Sequence, residues 1–217
     1  MSTESARKRL LQAGHESVAT TGYGATSVET VVGEADVAKG TFFYHFGNKA
    51  GFVHALLEDF ASRQMEWISS TAEVALSVGG GGVKVLERFM GSVATDISDE
   101  AILNGCLVGR ASYELAACDA EIQSHVAGLY KKTIEAITAL ALPAVREAGV
   151  NTGEARRIAE GLVTVAQGAF VVARGTGDVK VYRRQMSRYA QDVTLQLTAN
   201  DLRSSAQIHR RRRPRKK

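Results

Sequence analysis

Three groups of residues in this chain have types and spacings suited to chemistry. The first is Lys39-Gly40-Thr41-Phe42-Phe43-Tyr44-His45-Phe46-Gly47-Asn48-Lys49. Lysine and threonine hydrogen-bond the acceptors on base edges, and tyrosine, histidine and lysine donate to phosphate oxygens. A helix over 39–46 would present Thr41, Tyr44 and His45, with Phe42 and Phe46 turned inward. The second group is Cys106 with Arg110 four residues on. In a helix's first turn the dipole favours thiolate, and Arg110 on the same face would favour it further. The competing reading of Cys106 is a small buried apolar side chain. The third group, Cys118, Asp119 and His125, is the best nucleophile–base set available. Cys118 falls near a helix C-terminus, where the dipole opposes thiolate. Nearness in sequence is also poor evidence for nearness in space. The chain has no phosphate loop, metal-ligand spacing or nucleophile elbow, so neither an enzyme nor a cofactor or metal is expected.

The elements that must position the first group are short. Thr26 and Glu29 have capping-box spacing, which predicts a helix start. Val28, Val31 and Val32 give that helix an apolar face, and it ends at Ala35-Asp36. Val37 is then the buried residue of a tight turn before the next helix. Two short helices joined by such a turn form a helix-turn-helix, whose second helix enters the DNA major groove.

The rest of the chain reads as helix. Only two prolines occur, Pro143 and Pro214. Apolar stripes with helical spacing run through Ile122, Val126, Leu129, Ile137 and Leu140, then Ile158, Leu162, Val165, Ala169 and Val172, then Met186, Tyr189, Val193 and Leu197. Breakers at Gly22-Tyr23-Gly24, Gly47-Asn48, Gly79 to Gly82, Asn104-Gly105, Gly149 and Thr176-Gly177-Asp178 divide the chain into about nine helices.

With Gly22-Tyr23, Thr26-Ser27-Val28 and the ungapped run from Lys39 to Lys49, the first 50 or so residues resemble the tetracycline-repressor (TetR) family. The resemblance implies an all-α fold: an N-terminal three-helix DNA-binding module, and a six-helix domain that binds a small ligand and dimerises through its last two helices. Boundaries are expected at 1–48 and 49–198, with a basic, mobile tail over 199–217. It implies base-edge approach by Lys39, Gly40 and Thr41, thymine-methyl contact by Phe43, and phosphate contact by Tyr44, His45 and Lys49. Thr26 and Ser27 join the expected DNA-binding set, and Arg7, Lys8 and Arg9 add flanking phosphate contacts. Two departures stand out. Asp36 replaces the usual turn glycine, and Ala38 replaces the usual serine cap, removing about 1 kcal/mol.

Expected ligand-lining residues are Trp67, Phe89, Cys106, Arg110, Tyr113, Tyr130, Gln167, Phe170 and Arg174. If Arg110 and Arg174 both point inward they need an anionic partner, which suggests an acidic or electrophilic effector. The expected dimer surface comprises Ile158, Gly161, Leu162, Val165, Gly168, Ala169, Val172, Met186, Tyr189 and Val193. Gly161, Gly168 and Gly175 recur every seven residues along it.

Charge sharpens the picture. The 217-residue chain has a net charge of +4, yet residues 209–217 contribute 7 of its 27 basic residues and no acid. The remainder carries 20 basic against 23 acidic side chains, and segment 1–49 has five of each. DNA affinity must therefore come from local placement rather than from a broad basic field. No apolar run approaches the roughly 18 residues of a membrane span, and no secretory leader is visible, so a cytoplasmic location is expected. The function these features predict is a homodimeric, ligand-responsive repressor of a pseudo-palindromic operator, with a thiol sensor acting through Cys106 as the alternative.

Overall fold

In the computed structural model the backbone is described for residues 3–211 except Cys118, and side chains for residues 5–200 except Cys118. Ten helices occur among the described residues: α1 (Thr3–Thr21), α2 (Val28–Glu34), α3 (Lys39–Phe46), α4 (Lys49–Ser77), α5 (Gly82–Thr95), α6 (Asp99–Asn104), α7 (Leu107–Glu114), α8 (Ala120–Glu147), α9 (Gly153–Thr176) and α10 (Val179–Arg211). No strand occurs among the described residues, so the chain is all-α.

The count exceeds the expected nine because the stretch between Gly82 and Asn104 is divided in two. Asp96 caps the end of α5, and the Ser98 hydroxyl accepts from the Ala101 N–H at 3.1 Å to open α6. A lone serine cap is a weaker sequence signal than glycine or proline, which is why the break was not legible. At the other end, α10 continues through Arg211, past the point where a tail was expected to begin. Arg212, Arg213, Arg215, Lys216 and Lys217 lie outside the described residues.

The contacts sort the chain into two units. One holds residues 1–66 and 104–132, the other 67–103 and 133–217. In the first, α1, α2 and α3 pack on one another and α7 packs on α1. Leu10, Leu11, Val18, Tyr23, Val31, Phe42, Leu56 and Leu57 form its buried interior. In the second, α10 packs on α9 and α5, burying Leu86, Phe89 and Met90 together with Ile158, Leu162, Tyr182, Met186 and Leu197.

Aromatic rings mount α3 on α4. Phe42 and Phe46 turn inward as expected and meet Phe52 of α4, with ring centroids 4.9–5.2 Å apart within the trio. Gly47, at φ 72°, ends α3, and the Asn48 side chain accepts from the Gly51 N–H at 2.8 Å to start α4. Gly51 sits so close to the end of α3 that a Cβ there would lie 2.2 Å from the Phe46 carbonyl oxygen. Gly51→Ala is therefore expected to cost about 1–3 kcal/mol in denaturant unfolding through forced separation of α3 and α4. An unchanged midpoint would show that the two helices tolerate a wider approach.

Candidate nucleic-acid interface

Helix α2 is capped one residue later than expected. Ser27 is the N-cap, its hydroxyl accepting from the Thr30 N–H at 3.0 Å. Thr26 is 4% exposed, and its hydroxyl donates to the Gly22 carbonyl at 2.8 Å and lies 3.2 Å from the Ser17 hydroxyl. This corrects two expectations: Thr26 and Glu29 do not form the capping box, and the Thr26 side chain offers no surface to DNA. Thr26 and Ser27 both precede the helix, and the capping-box spacing pointed to Thr26 alone. Burial chose between them. Ser17, small for its place in α1, is buried and partnered by that same threonine.

The turn forms despite the missing glycine. Asp36 adopts φ 48° and is the one described non-glycine residue with positive φ, a region aspartate tolerates better than most. Ala38 stands at the N-cap of α3 with no side-chain hydrogen bond, as its sequence implied.

On α3 itself the outward stripe is open. Tyr44 is 76% and Phe43 42% exposed, Lys39 and Gly40 are exposed, and Thr41 is half-buried. No atom lies within 4 Å of a Cβ placed on Gly40, so the backbone there is free for close approach. Lys39 forms an ion pair with Glu29 of α2, and that lysine is the largest influence holding the Glu29 carboxyl below its usual pKa. Both side chains are solvent-exposed, so the pair adds little stability and constrains Lys39 only weakly. His45 is half-buried, its ring edge-on to Tyr44 at 5.1 Å. Its Nε2 is enclosed without a partner, so that nitrogen does not reach a phosphate. Lys49 is exposed at the start of α4, where helix-terminal N–H groups attract anions. On α1, the Arg7 guanidinium stands 5.8 Å from the Phe46 ring centre, close to the end of α3.

A brace ties this module to α7. The Arg110 guanidinium donates to the carbonyls of Val18 and Ala19 in the last turns of α1. It also pairs with Glu114 at 3.3 Å. Glu114 accepts from the Tyr23 N–H at 2.7 Å, and the Tyr23 hydroxyl donates to the Leu107 carbonyl at 3.2 Å. Burial is the main cause that raises the Tyr23 phenol far above its ordinary pKa. Arg110 thus already has its partners, which removes the reason for expecting an anionic effector from it. Arg174 is exposed and donates to the Leu103 carbonyl at 3.3 Å.

Cys106 is the N-cap of α7, buried, with Sγ accepting from the Gly109 N–H at 3.5 Å. Its burial, and an arginine already engaged elsewhere, are the opposite of the exposed, electropositive surroundings in which thiols react. Of the candidate nucleophile–base set, Cys118 lies outside the described residues. Asp119 caps α8 by accepting from the Glu121 and Ile122 N–H groups, and the His125 Nε2 contacts Glu58 at 2.7 Å.

The remaining ligand-lining candidates are scattered. In the first unit, half-buried Tyr130 has its pKa raised to about 12, mainly by burial, while Tyr113 is 65% exposed. In the second, Trp67 meets the fully buried Phe89 at 6.4 Å, Phe170 packs on Tyr182 at 4.6 Å, and Gln167 is half-buried.

The expected dimer surface divides in a similar way. Ile158, Leu162, Ala169, Met186 and Val193 are buried within the single chain, so they do not form the surface of a second copy's site. Gly161 makes room for Tyr189, whose oxygen would lie 2.2 Å from a Cβ there and which donates to the Ile158 carbonyl at 2.8 Å. Val165, Gly168 and Val172 remain at least partly open. Val171 and Leu195, at 52% and 68% exposed, fall off the stripe that sequence periodicity marks as apolar.

Two family models match the chain. Residues 10–56 match the bacterial regulatory proteins of the tetR family, and residues 82–187 match the C-terminal domain of LmrA/YxaF-like transcriptional regulators. The chain belongs to the TetR family. It is a DNA-binding transcriptional regulator, in a family that is not one of enzymes. The regulator is 26% identical over 171 residues to the HTH-type transcriptional repressor DhaR of Mycobacterium sp. (strain GP1), covering 76% of this chain and 80% of that one. It is 23% identical over 179 residues to an HTH-type regulator from the lacX 3' region of Lactococcus lactis, covering 81% and 86%. A TetR-family regulator from Agrobacterium tumefaciens shares the fold with a TM-score of 0.73 at 19% identity, over 88% of this chain and 98% of that one.

The brace has a measurable weight. Glu114→Ala strands the Arg110 charge and the Tyr23 N–H together, so a loss of about 1–3 kcal/mol in thermal or denaturant unfolding is expected. Stability equal to that of the parent protein would show that solvent replaces Glu114 without penalty.

Proposed function

We propose that the regulator is a homodimeric repressor that releases a pseudo-palindromic operator when a small effector binds its larger helical domain. The observation that carries this reading is the open stripe of Lys39, Gly40, Thr41, Phe43 and Tyr44. It stands on a helix whose inner face is locked by three phenylalanines. An outward face with two exposed aromatics and no aliphatic cover suits a groove, where ring edges meet thymine methyls and hydroxyls meet phosphates. The name of DhaR as a repressor supports repression over activation. With five basic and five acidic residues in segment 1–49, specificity rests on this stripe and on few phosphate contacts.

Dimerisation follows from α9. It is the one described helix long and apolar enough to cross a bilayer by composition, yet only 28% of its apolar window is buried in its own chain. Val171, Val172 and Leu195 leave apolar surface that a second copy would cover, and paired half-sites call for a two-fold partner. Effector binding then shifts the population toward a half-site spacing that no longer fits DNA.

Two measurements test this. On a duplex enriched by the purified protein from a random library, Tyr44→Ala and Phe43→Ala are each expected to weaken binding by about 1–3 kcal/mol. Lys49→Ala is expected to lower the salt slope by about 1. Affinities unchanged in all three variants would remove α3 from the DNA interface. Val171→Asp with Val172→Asp is expected to yield a monomer by light scattering, and a persistent dimer would place the interface elsewhere.

A further inference from the structure

Two histidines meet head to head between α4 and α8. The Nδ1 atoms of His54 and His125 are 2.5 Å apart, with rings 11° from parallel and ring centroids 4.8 Å apart. That centroid separation is as large as the nitrogen gap plus the two ring radii allow, so both Nδ1 atoms lie close to the line joining the ring centres. This is an end-on N–H···N contact within one plane, not a face-to-face stack.

Proton positions follow from the outer partners. A carboxylate only accepts, so the His125 Nε2, 2.7 Å from Glu58 Oε1, carries a hydrogen. Neutral His125 then has its lone pair on Nδ1. Two lone pairs facing at this distance repel, so the His54 Nδ1 carries the hydrogen that joins the rings. The His54 Nε2 faces Glu121 Oε1 at 3.7 Å. With a bare lone pair there, nitrogen and carboxylate repel. With a proton, they attract.

The geometry points to a single-proton site: the pair takes up one proton from solvent at His54 Nε2, and that proton fastens the start of α4 to α8. The pair then becomes an imidazolium–imidazole couple, hydrogen-bonded through its Nδ1 atoms, with Glu58 of α4 and Glu121 of α8 as the charged groups facing it. The four groups pass from a net charge of −2 to −1. A second added proton would set N–H against N–H and break the link, so the site fills once. His54 lies five residues after Lys49 on the helix that follows the recognition helix, so a proton here bears on how α3 is held. This functional arm rests on the DNA-binding reading. The proton site itself does not.

A second histidine contact provides an internal control. The His15 Nε2 meets Asp59 Oδ2 at 2.8 Å, and Arg63 pairs with the same oxygen at 2.6 Å. Burial, the largest influence, lowers the His15 pKa against the opposing Asp59 bond. Its contribution to stability is therefore present above the ordinary histidine value of about 6.5 and is lost as pH falls below it.

Imidazole 1H–15N spectra of the full chain, recorded from about pH 5.5 to 8, test the site in the parent protein, His54→Gln, His125→Gln and Glu58→Gln. The expected result is one joint titration, with His125 Nδ1 remaining a hydrogen-bond acceptor. Each glutamine variant at a histidine should move the other ring's midpoint by about half a unit or more, while His15 holds. Independent titrations, each indifferent to loss of the other ring, overturn the proposal. So does stoichiometric Zn²⁺ binding abolished by either variant, which would make this a metal site. On the library-enriched duplex, affinity between pH 6 and 8 is expected to change by roughly fivefold, and His125→Gln should flatten that change. An identical pH response in His125→Gln overturns the coupling. A protein that binds no duplex at any pH defeats the repressor reading, while the spectra still decide the proton site.

Discussion

The Arg110 guanidinium of α7 reaches the carbonyl oxygens of Val18 and Ala19 in the last turn of α1. One turn further on, Glu114 balances that charge and accepts from the Tyr23 N–H. Helix ends need such partners, and a guanidinium is well shaped to take more than one carbonyl. The consequence is mechanical. The helices that read DNA are fixed to α7 through charge-assisted bonds to their backbone, so α7 cannot shift without moving α1 or breaking those bonds. Gly22 belongs to the same constraint: at φ 91°, its missing Cβ leaves room for the Glu114 carboxylate 2.8 Å away.

Around this brace the first unit divides its work between rigid and adjustable contacts. The trio Phe42, Phe46 and Phe52 fixes α3 on α4 by dense apolar packing, which is bistable at best and does not yield gradually. Polar contacts reach α4 as well: His15 of α1 meets Asp59, and His125 of α8 meets both His54 and Glu58. Packing determines what the recognition helix looks like.

Much of the DNA-reading part was legible because its signals are local. The helix-turn-helix spacing, the uncapped Ala38 and the positive φ at Asp36 each depend on a few neighbouring residues. Where burial overrides a local pattern, the sequence had no means to tell. Thr26 and Ser27 both suit a cap, and burial of Thr26 against Ser17 and Gly22 gave the role to Ser27. The larger domain was legible only as helices. Its stripe of Ile158, Leu162 and Ala169 was real, but periodicity marks a face as apolar without saying whether the same chain or a second one covers it.

The sequence by itself determined the family, the all-α architecture and most of the outward residues of α3, since each is encoded in patterns local to the chain. Only the tertiary structure decided the roles of the charged and small residues. Arg110, read as a ligand for an anion, is committed to α1 because its helix packs there. Gly161, read as a dimer contact, makes room for Tyr189 of its own chain. His54 and His125, 71 residues apart, carry no signal until α4 and α8 bring their rings into line. The physical reason is the same throughout. Propensity and periodicity are short-range, whereas the partner of a charge or the occupant of a gap is set by whatever the fold places opposite it.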